Sequence, residues 1–495
     1  MSSEPVAPSE SAASRGGGSA GAPRGGSDAE LALQRERYER AGQGHVFAFA
    51  DRLEPAARAA LVRQADQFDP AAVGAAFASA RARSAQRERL EPPDVVLLPE
   101  RGGDAALRER ARARGEELLA EGAVAVLIVA GGQGTRLGLP GPKGAFPLGP
   151  VTSRTLFAQQ AQKLHAARRR SGRPLPWLVM TSEATDAATR DLFEAERCFG
   201  LPPDDVRFFA QGALPNVDFD GRILLAARDR IAASPDGHGG VFAALARSGL
   251  LDWLDARGVR RLSYSQVDNP LVPLADAVFL GVHELAGAEM SAKVLRKLRP
   301  DERLGTVGRR GDRVHVVEYT EIDPWHRDQR GRGGDLLFWA GSIAIHVLNV
   351  DFARRVAGDA ERLLPCHLSA KPIPSIDPSG GPLVPDAPNG YKLERFVFDA
   401  LPAAGRAELL EVRRADEYSP IKNRTGPESP RTARESLVAC YHRWLEDAAV
   451  EGVPRDAWIE IDQSRVDGPD DLRAAGTRRV GPETDWIRFG SRETT

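Results

Sequence analysis

The sequence predicts an α/β fold: a mostly parallel sheet with helices on both faces, preceded by a helical N-terminal region and followed by a small C-terminal domain. Three observations carry this. Residues 123–130, AVAVLIVA, are an apolar run without polar alternation, as expected of a central strand covered on both faces. Comparable strand patterns recur at 177–181 (WLVMT), 206–211 (VRFFAQ) and 261–269 (RLSYSQVDN), with helix-patterned stretches between them. Such alternation implies parallel strands joined by helical crossovers.

Taken in order, residues 1–30 are rich in Ser, Gly, Pro and Ala and have little to bury, so they predict a disordered tail. Residues 31–120 are rich in Ala, Arg and Glu with helical spacing, as in LALQRERYER, and predict a helical N-terminal domain whose charge runs are solvated faces. Residues 121–420 hold the main α/β domain. Within it, the stretch from Thr155 to Arg168 places Phe157, Ala161 and Leu164 on one helical stripe. Turn signals at Asp220-Gly221 and Gly311-Asp312 predict an antiparallel insertion able to floor a pocket. Residues 421–495 form the C-terminal domain, with WIEID at 458–462 as one strand.

A chain of 495 residues exceeds what one hydrophobic core serves, which accords with several domains. With 67 basic and 69 acidic side chains, its net charge of -2 offers no global field for nucleic acid or an anionic membrane, so any cationic site must be local. Three widely spaced cysteines argue against a disulfide scaffold and fit a reducing cytoplasm. No apolar run approaches the roughly 20 residues of a membrane span, and the N-terminus carries no apolar signal core.

The chemistry is announced where the first strand ends. Ala130, Gly131, Gly132, Gly134 and Thr135 lead into Arg136 and, a few residues on, Lys143. Glycines there let the backbone approach a bulky anion, and at the carboxyl edge of an open α/β sheet that is where ligands bind. Arg136 adds a planar fork and Lys143 a point charge, which together point to phosphate. A Walker loop is excluded because Pro142 and Gly144 flank Lys143. A dinucleotide fingerprint is excluded because Leu137 stands where its third glycine belongs and no acid occurs between Val151 and Arg170.

The block AGGQGTRLG-x4-KG resembles the signature of the sugar-1-phosphate nucleotidyltransferases. Its spelling is similar to the eukaryotic-type UDP-sugar pyrophosphorylases, above all the UDP-N-acetylglucosamine pyrophosphorylase branch. Seven more blocks follow in that family's order: FFAQGALP (208–215), PDGHGG (235–240), VDNPLV (267–272), VVEYTEI (316–322), AGSIAIH (340–346), NGYKLERFVFD (389–399) and DEYSPIKN (416–423). The resemblance implies a Rossmann-like nucleotidyltransferase sheet as the catalytic domain. It also implies a cytoplasmic uridylyltransferase that makes a UDP-sugar and pyrophosphate from UTP and a sugar-1-phosphate.

Such a reaction brings two polyanions together and moves negative charge onto a leaving group, so the site needs cations more than a proton relay. Arg136 and Lys143 are the candidates for gripping the β and γ phosphates, and Lys422 matches the family lysine that reaches the α-phosphate. Asp268 ends an apolar-patterned strand; as a carboxylate it suits Mg2+, the expected cofactor, although a strand-terminal Asp also serves as a helix cap. Gln211 carries both a donor and an acceptor for the imide edge of uracil, and the resemblance places it there with Pro235 and Gly237.

For the sugar, the resemblance points to His238, Glu318, Gly341, Ser342, Asn389, Lys392 and Phe398. N-acetylhexosamine members usually carry Asn where His238 and Ser342 stand, and a histidine at the first position is more typical of the UDP-glucose branch. FVFD at 396–399 instead matches the hexosamine branch, in which the residue at Phe398 borders the N-acetyl group. The expected substrate is N-acetylglucosamine-1-phosphate. The alternatives are a UDP-glucose or broad-specificity enzyme and, in another class, a non-catalytic nucleotide-sugar-binding protein. His283, His315, His326 and His346 lack metal-ligand spacing and read as structural.

Overall fold

The computed structural model describes residues 28–85, 89–481 and 483–490. The tail expected over 1–30 lies outside the described residues as far as residue 27; from Asp28 the chain is helical.

One sheet of nine strands organises the molecule: β1 (Val124–Val129), β2 (Trp177–Thr181), β3 (Val206–Ala210), β4 (Arg261–Gln266), β5 (Met290–Arg296), β6 (Gly305–Arg310), β7 (Arg313–Val317), β8 (Ala340–Asn349) and β9 (Ala407–Glu411). Seven lie in the order β7-β6-β8-β4-β1-β2-β3, while β5 pairs with β8 on one side and β9 on the other. The four strands β4, β1, β2 and β3 are mutually parallel, as is the pair β5 and β9. β8 runs antiparallel to β4, β5 and β6.

The apolar run in β1 is explained by what lies on either side of it. Val124, Val126 and Ile128 enter one core, and Ala125 and Leu127 enter the other. All five are fully buried, so the strand has no solvent face on which polar residues could alternate. The helix Leu156–Ser171 covers one face with Phe157, Ala161 and Leu164. Thr155 caps it by accepting the Ala158 N–H at 3.2 Å.

The N-terminal helices Asp28–Arg40, Pro55–Asp66 and Pro70–Ala85 share a third core with Val217, Ile223, Leu225, Ile231 and Leu393. The Asp220-Gly221 turn forms and packs there, against Phe77. The Gly311-Asp312 turn joins β6 to β7, with Arg310 paired to Arg313.

The helix Ala105–Ala120, grouped with the N-terminal domain on composition, packs instead on Ala277–Leu285 within the core of the sheet. A Cβ on Gly115 would stand 1.8 Å from the Ala277 carbonyl oxygen, and one on Gly281 1.7 Å from that of Ala111. The two helix backbones therefore touch, and no side chain can stand between them. At the other end, the helix Pro430–Asp447 and the strand Trp458–Ile461, which pairs with Ile487–Gly490, join the same core. The buried Glu460 carboxylate fastens this C-terminal unit by accepting N–H groups of Val151 and Thr152, each at 2.7 Å. Among the described residues no helix is long and apolar enough to cross a membrane.

Candidate active site

The carboxyl ends of β1, β3 and β4 deliver Ala130, Gln211 and the loop holding Asp268 to one edge of the sheet. From Ala130, whose N–H donates to the Met180 carbonyl at 2.7 Å, the glycine loop leaves β1 and folds back on itself. Lys143 N–H donates to Gly132 O at 3.0 Å, and Gly134 N–H to Gly141 O at 2.8 Å. The positive φ angles fall at Gly138 and Gly141, and Gly131, Gly132 and Gly134 have none. Two of those three are needed for space instead. A Cβ on Gly131 would lie 3.2 Å from Thr181 O and 3.3 Å from the Gln211 amide; one on Gly134 would lie 2.9 Å from Leu139 Cβ.

Between these turns Thr135 and Arg136 are exposed while Leu137 is buried in the core and anchors the loop. Arg136 has no hydrogen-bond or ion-pair partner among the described residues, which leaves its guanidinium free for an incoming anion. Arg424, which the motif reading passed over, lies across the loop with its guanidinium against Gly138.

Lys143 Nζ lies 3.4 Å from Asp268 Oδ2 and 3.4 Å from the Ile421 carbonyl oxygen. Ile421 N–H in turn donates to Asp268 O at 2.9 Å. Residues 417–422 thus form a strap across the loop after β4, and Lys422 rides at its end. Burial disfavours the charge on Lys422, but Tyr418, Asp268 and Glu428 outweigh that and hold its ammonium above the ordinary lysine range. Its ion-pair partner, Glu428 Oε1, is 3.7 Å away.

Beside the strap is a cavity of about 230 Å3. Six of the expected residues line it: His238, Asp268, Glu318, Ser342, Phe398 and Lys422. They come from distant parts of the chain. Gln266, Arg303 and Tyr418 also line it and were not anticipated. Gln266 could have been found: it is the last residue of β4, at the carboxyl edge of the sheet where ligands bind. Tyr418 sat inside DEYSPIKN, while Arg303 carries no pattern.

His238 is stacked on Phe396, ring centroids 5.1 Å apart, and meets Phe398 edge-on at 5.8 Å. Its Nδ1 accepts the Val397 N–H at 3.1 Å, which assigns the ring proton to Nε2. Burial lowers its pKa to about 4, so the ring is neutral and can donate. Burial also pushes the Glu318 carboxyl up to about 7, opposed by the charge on His367 and assisted by Glu321 and Asp399. His367 loses charge stability through burial, yet hydrogen bonds to Asp399 (2.9 Å) and Glu321 (2.8 Å) raise it to about 10. The Ser342 hydroxyl is buried without a hydrogen-bond partner among the described residues. Beyond it Ala344, also in the cavity wall, adopts φ +55 at the β8 bulge, a strained conformation for a residue with a Cβ.

At the end of β3, Gln211 N–H donates to Thr181 O at 3.0 Å, and Pro235 pairs with Ala213. Gly237 has φ +84 and ψ 170, a region open essentially to glycine alone, and a Cβ there would stand 2.4 Å from Arg395 O. This contact zips two motifs together: Arg395 N–H donates to Asp236 O and Gly239 N–H to Arg395 O, both at 2.8 Å.

Three expected sugar contacts do not line the cavity. Asn389 uses both ends of its amide on Ile373, accepting its N–H at 2.7 Å and donating to its carbonyl at 3.1 Å, so it pins a loop. Lys392 sits in the strand Gly390–Glu394, opposite Ser369 of the strand His367–Lys371. Gly341 backs Leu304, itself a wall residue. Among the expected structural histidines, His283 is held by Ser291 and Asn349, and His326 by Asp323 and Leu90.

Residues 83–426 match the family model described as UTP–glucose-1-phosphate uridylyltransferase. The human protein "UDP-N-acetylhexosamine pyrophosphorylase-like protein 1" is 39% identical over 444 residues, 86% of this chain and 87% of the relative. "UDP-N-acetylglucosamine diphosphorylase 1" of Arabidopsis thaliana is 35% identical over 83% of each chain. The crystal structure of the uridine diphosphate N-acetylglucosamine pyrophosphorylase of Trypanosoma brucei is similar at a TM-score of 0.78 and 30% identity, covering 90% of this chain and 94% of that one.

Proposed function

The chain belongs to the UTP–glucose-1-phosphate uridylyltransferase family, and on that premise we propose that it transfers uridylyl from UTP to N-acetylglucosamine-1-phosphate. A phosphate oxygen of the sugar-1-phosphate bonds to the α-phosphorus of UTP, and the bond from that phosphorus to the bridging oxygen of the β-phosphate breaks. The electron pair leaves with pyrophosphate. No proton need move, so the chain's task is to neutralise and align.

The observation that carries this reading is the meeting of Lys143, Asp268 and Lys422 at one cleft. They come from separate segments, with Lys143 paired to Asp268 and both Asp268 and Lys422 in the cavity wall. In our reading Arg136 and Lys143 hold the β and γ phosphates, and Lys422 reaches the α-phosphate. When triphosphate enters, Lys143 exchanges a single carboxylate at 3.4 Å for phosphate oxygens, which frees Asp268. Gln211, with Pro235 and Gly237, reads the uracil.

Asp268 is our candidate to hold Mg2+. Among the described residues no three His, Cys, Asp or Glu side chains converge as a metal cage. One carboxylate with phosphates and water suits a hard cation that keeps several waters. Bound there, the ion would neutralise charge on the phosphates.

The names of the relatives support the acetylated sugar, and Phe398 and neutral His238 in the cavity wall, both packed on Phe396, offer an apolar surface for an acetyl methyl. A second reading, glucose-1-phosphate, is favoured by His238 and Ser342 standing where N-acetylhexosamine members usually carry Asn. Pyrophosphate release from UTP and Mg2+ with each sugar phosphate decides between them. We expect the acetylated sugar to give the higher kcat/KM. A wide margin for glucose-1-phosphate would overturn the substrate, and release with neither sugar while UDP-sugars still bind would overturn catalysis.

A further inference from the structure

Lys293 lies in β5 with its side chain fully buried, and its Nζ stands 2.6 Å from Asp276 Oδ2 and 2.6 Å from Glu417 Oε2. It does not line the cavity. Burial opposes its charge, but the two carboxylates prevail and keep it an ammonium. Fold stability does not explain such a group, because a buried ion cluster is commonly no more stable than apolar side chains of equal volume. Its neighbours Ala292 and Val294 are themselves fully buried and apolar.

What distinguishes Lys293 is where its partners are attached. Asp276 caps the helix Ala277–Leu285 by accepting the Val278 N–H at 2.9 Å, so it is fixed to the body of the sheet. Glu417 begins the strap, and Tyr418, Pro420 and Lys422 follow it into the cavity wall. The strap is tied again by Asn269, next to Asp268, which donates to Glu417 O at 2.7 Å and accepts the Ser419 N–H at 3.1 Å. The side chain of Glu417 thus joins the strap to the sheet, and its backbone joins it to the Asp268 loop.

We propose that Lys293 is a positioning residue: by holding Glu417 against the sheet it sets how far Lys422 reaches into the cleft, without itself touching substrate. This rests on the catalytic reading of Lys422 given above. An uncharged residue at 293 would leave the strap tied to the Asp268 loop through Asn269 and through the Ile421 N–H on Asp268 O, but with Glu417 no longer anchored to the sheet at the strap's start. Ground-state binding of UTP, which engages the glycine loop, would be spared.

The test is a double-mutant cycle in the full chain between Lys293→Met and Lys422→Ala, reading kcat and both KM values for pyrophosphate release, with thermal unfolding of each variant in parallel. We expect Lys293→Met to lower kcat by about tenfold or more while KM for UTP stays within about twofold, and to lower it no further when Lys422 is already Ala. Multiplicative losses in the double variant, with Lys422→Ala itself slow, would overturn the positioning role alone. Wild-type kcat in Lys422→Ala would remove the catalytic reading of Lys422, and the positioning role with it. Should Lys293→Met fail to fold, Lys293→Met with Glu417→Gln removes opposite buried charges together. That variant is expected to show the same fall in kcat and the same non-additivity, and wild-type turnover in it would overturn the proposal.

Discussion

The glycine loop and the cavity we assign to the sugar meet at Asp268 and are built in opposite ways. The loop is a contiguous stretch whose shape comes from its own backbone hydrogen bonds, and it presents an exposed, unpartnered Arg136 to solvent. The cavity is assembled from side chains hundreds of residues apart, several of them buried with shifted protonation or an unmet hydrogen bond. The difference follows from the ligand each end is read to serve. A triphosphate is recognised by charge and close backbone, which local sequence can supply. A sugar is recognised by a particular set of donors and acceptors, which only tertiary structure can bring together.

The sharpest way to break this comparison is at the loop. Lys143→Ala is expected to lower kcat for pyrophosphate release on the order of 10²-fold at saturating UTP, as removal of a transition-state donor does. Near-wild-type turnover would show that the loop merely binds. Next in size is Gly237→Ala, which acts where the two ends are tied. Its strained backbone and clash with Arg395 should cost about 1–3 kcal/mol in denaturant unfolding and raise KM for both substrates together. A change in KM for UTP only would mean the zipper does not reach the sugar side.

A smaller effect sharpens the cavity end. Glu318 has a folded pKa of about 7, so its neutral, hydrogen-donating form gives way to a carboxylate as pH rises through that value. KM for the sugar-1-phosphate should climb across the same range, and Glu318→Gln, whose amide keeps a neutral donor and does not titrate, should flatten the climb with KM within about twofold of wild type below it. A pH-independent KM in the wild type would take Glu318 away from the sugar. The smallest effect on activity is expected at His367. Its pKa is raised to about 10 in the fold, so the stability it contributes is fully present below its unfolded value near 6.5 and is lost as pH rises through about 10. Unfolding free energies measured from pH 6 to 10 should decline, and less so in His367→Asn.

Legibility in the sequence follows the same division. β1 could be read because a strand buried on both faces has to be apolar at every position, as Val124 to Ile128 are. The loop could be read because its glycines and cations are neighbours in the chain. Of the cavity, Glu318, Ser342 and Phe398 were visible only through resemblance, since nothing in their local spacing marks them. Arg303 and the left-handed Ala344 were invisible, because neither exposure at a cavity mouth nor strain in an alanine leaves a signature in composition. Asn389 misled in the other direction. The resemblance places it at the sugar, yet here its amide is engaged at both ends by Ile373. The helix Ala105–Ala120 misled because its Arg-rich outer face masks Ala111, Gly115 and Leu118, which pack inward.

That helix bears on how the protein can be trimmed. Its glycine contact with Ala277–Leu285 lets two backbones meet with no filler between them, so the pair behaves as one slab laid on the sheet. The chain just before it is stitched in as well, Val96 bridging to the edge of β9. A shortened protein beginning at residue 121 would therefore lack a wall of its own interior. Because the helices from Asp28 onward also share a core with Val217 and Leu393, any cut meant to spare the enzyme belongs upstream of Asp28.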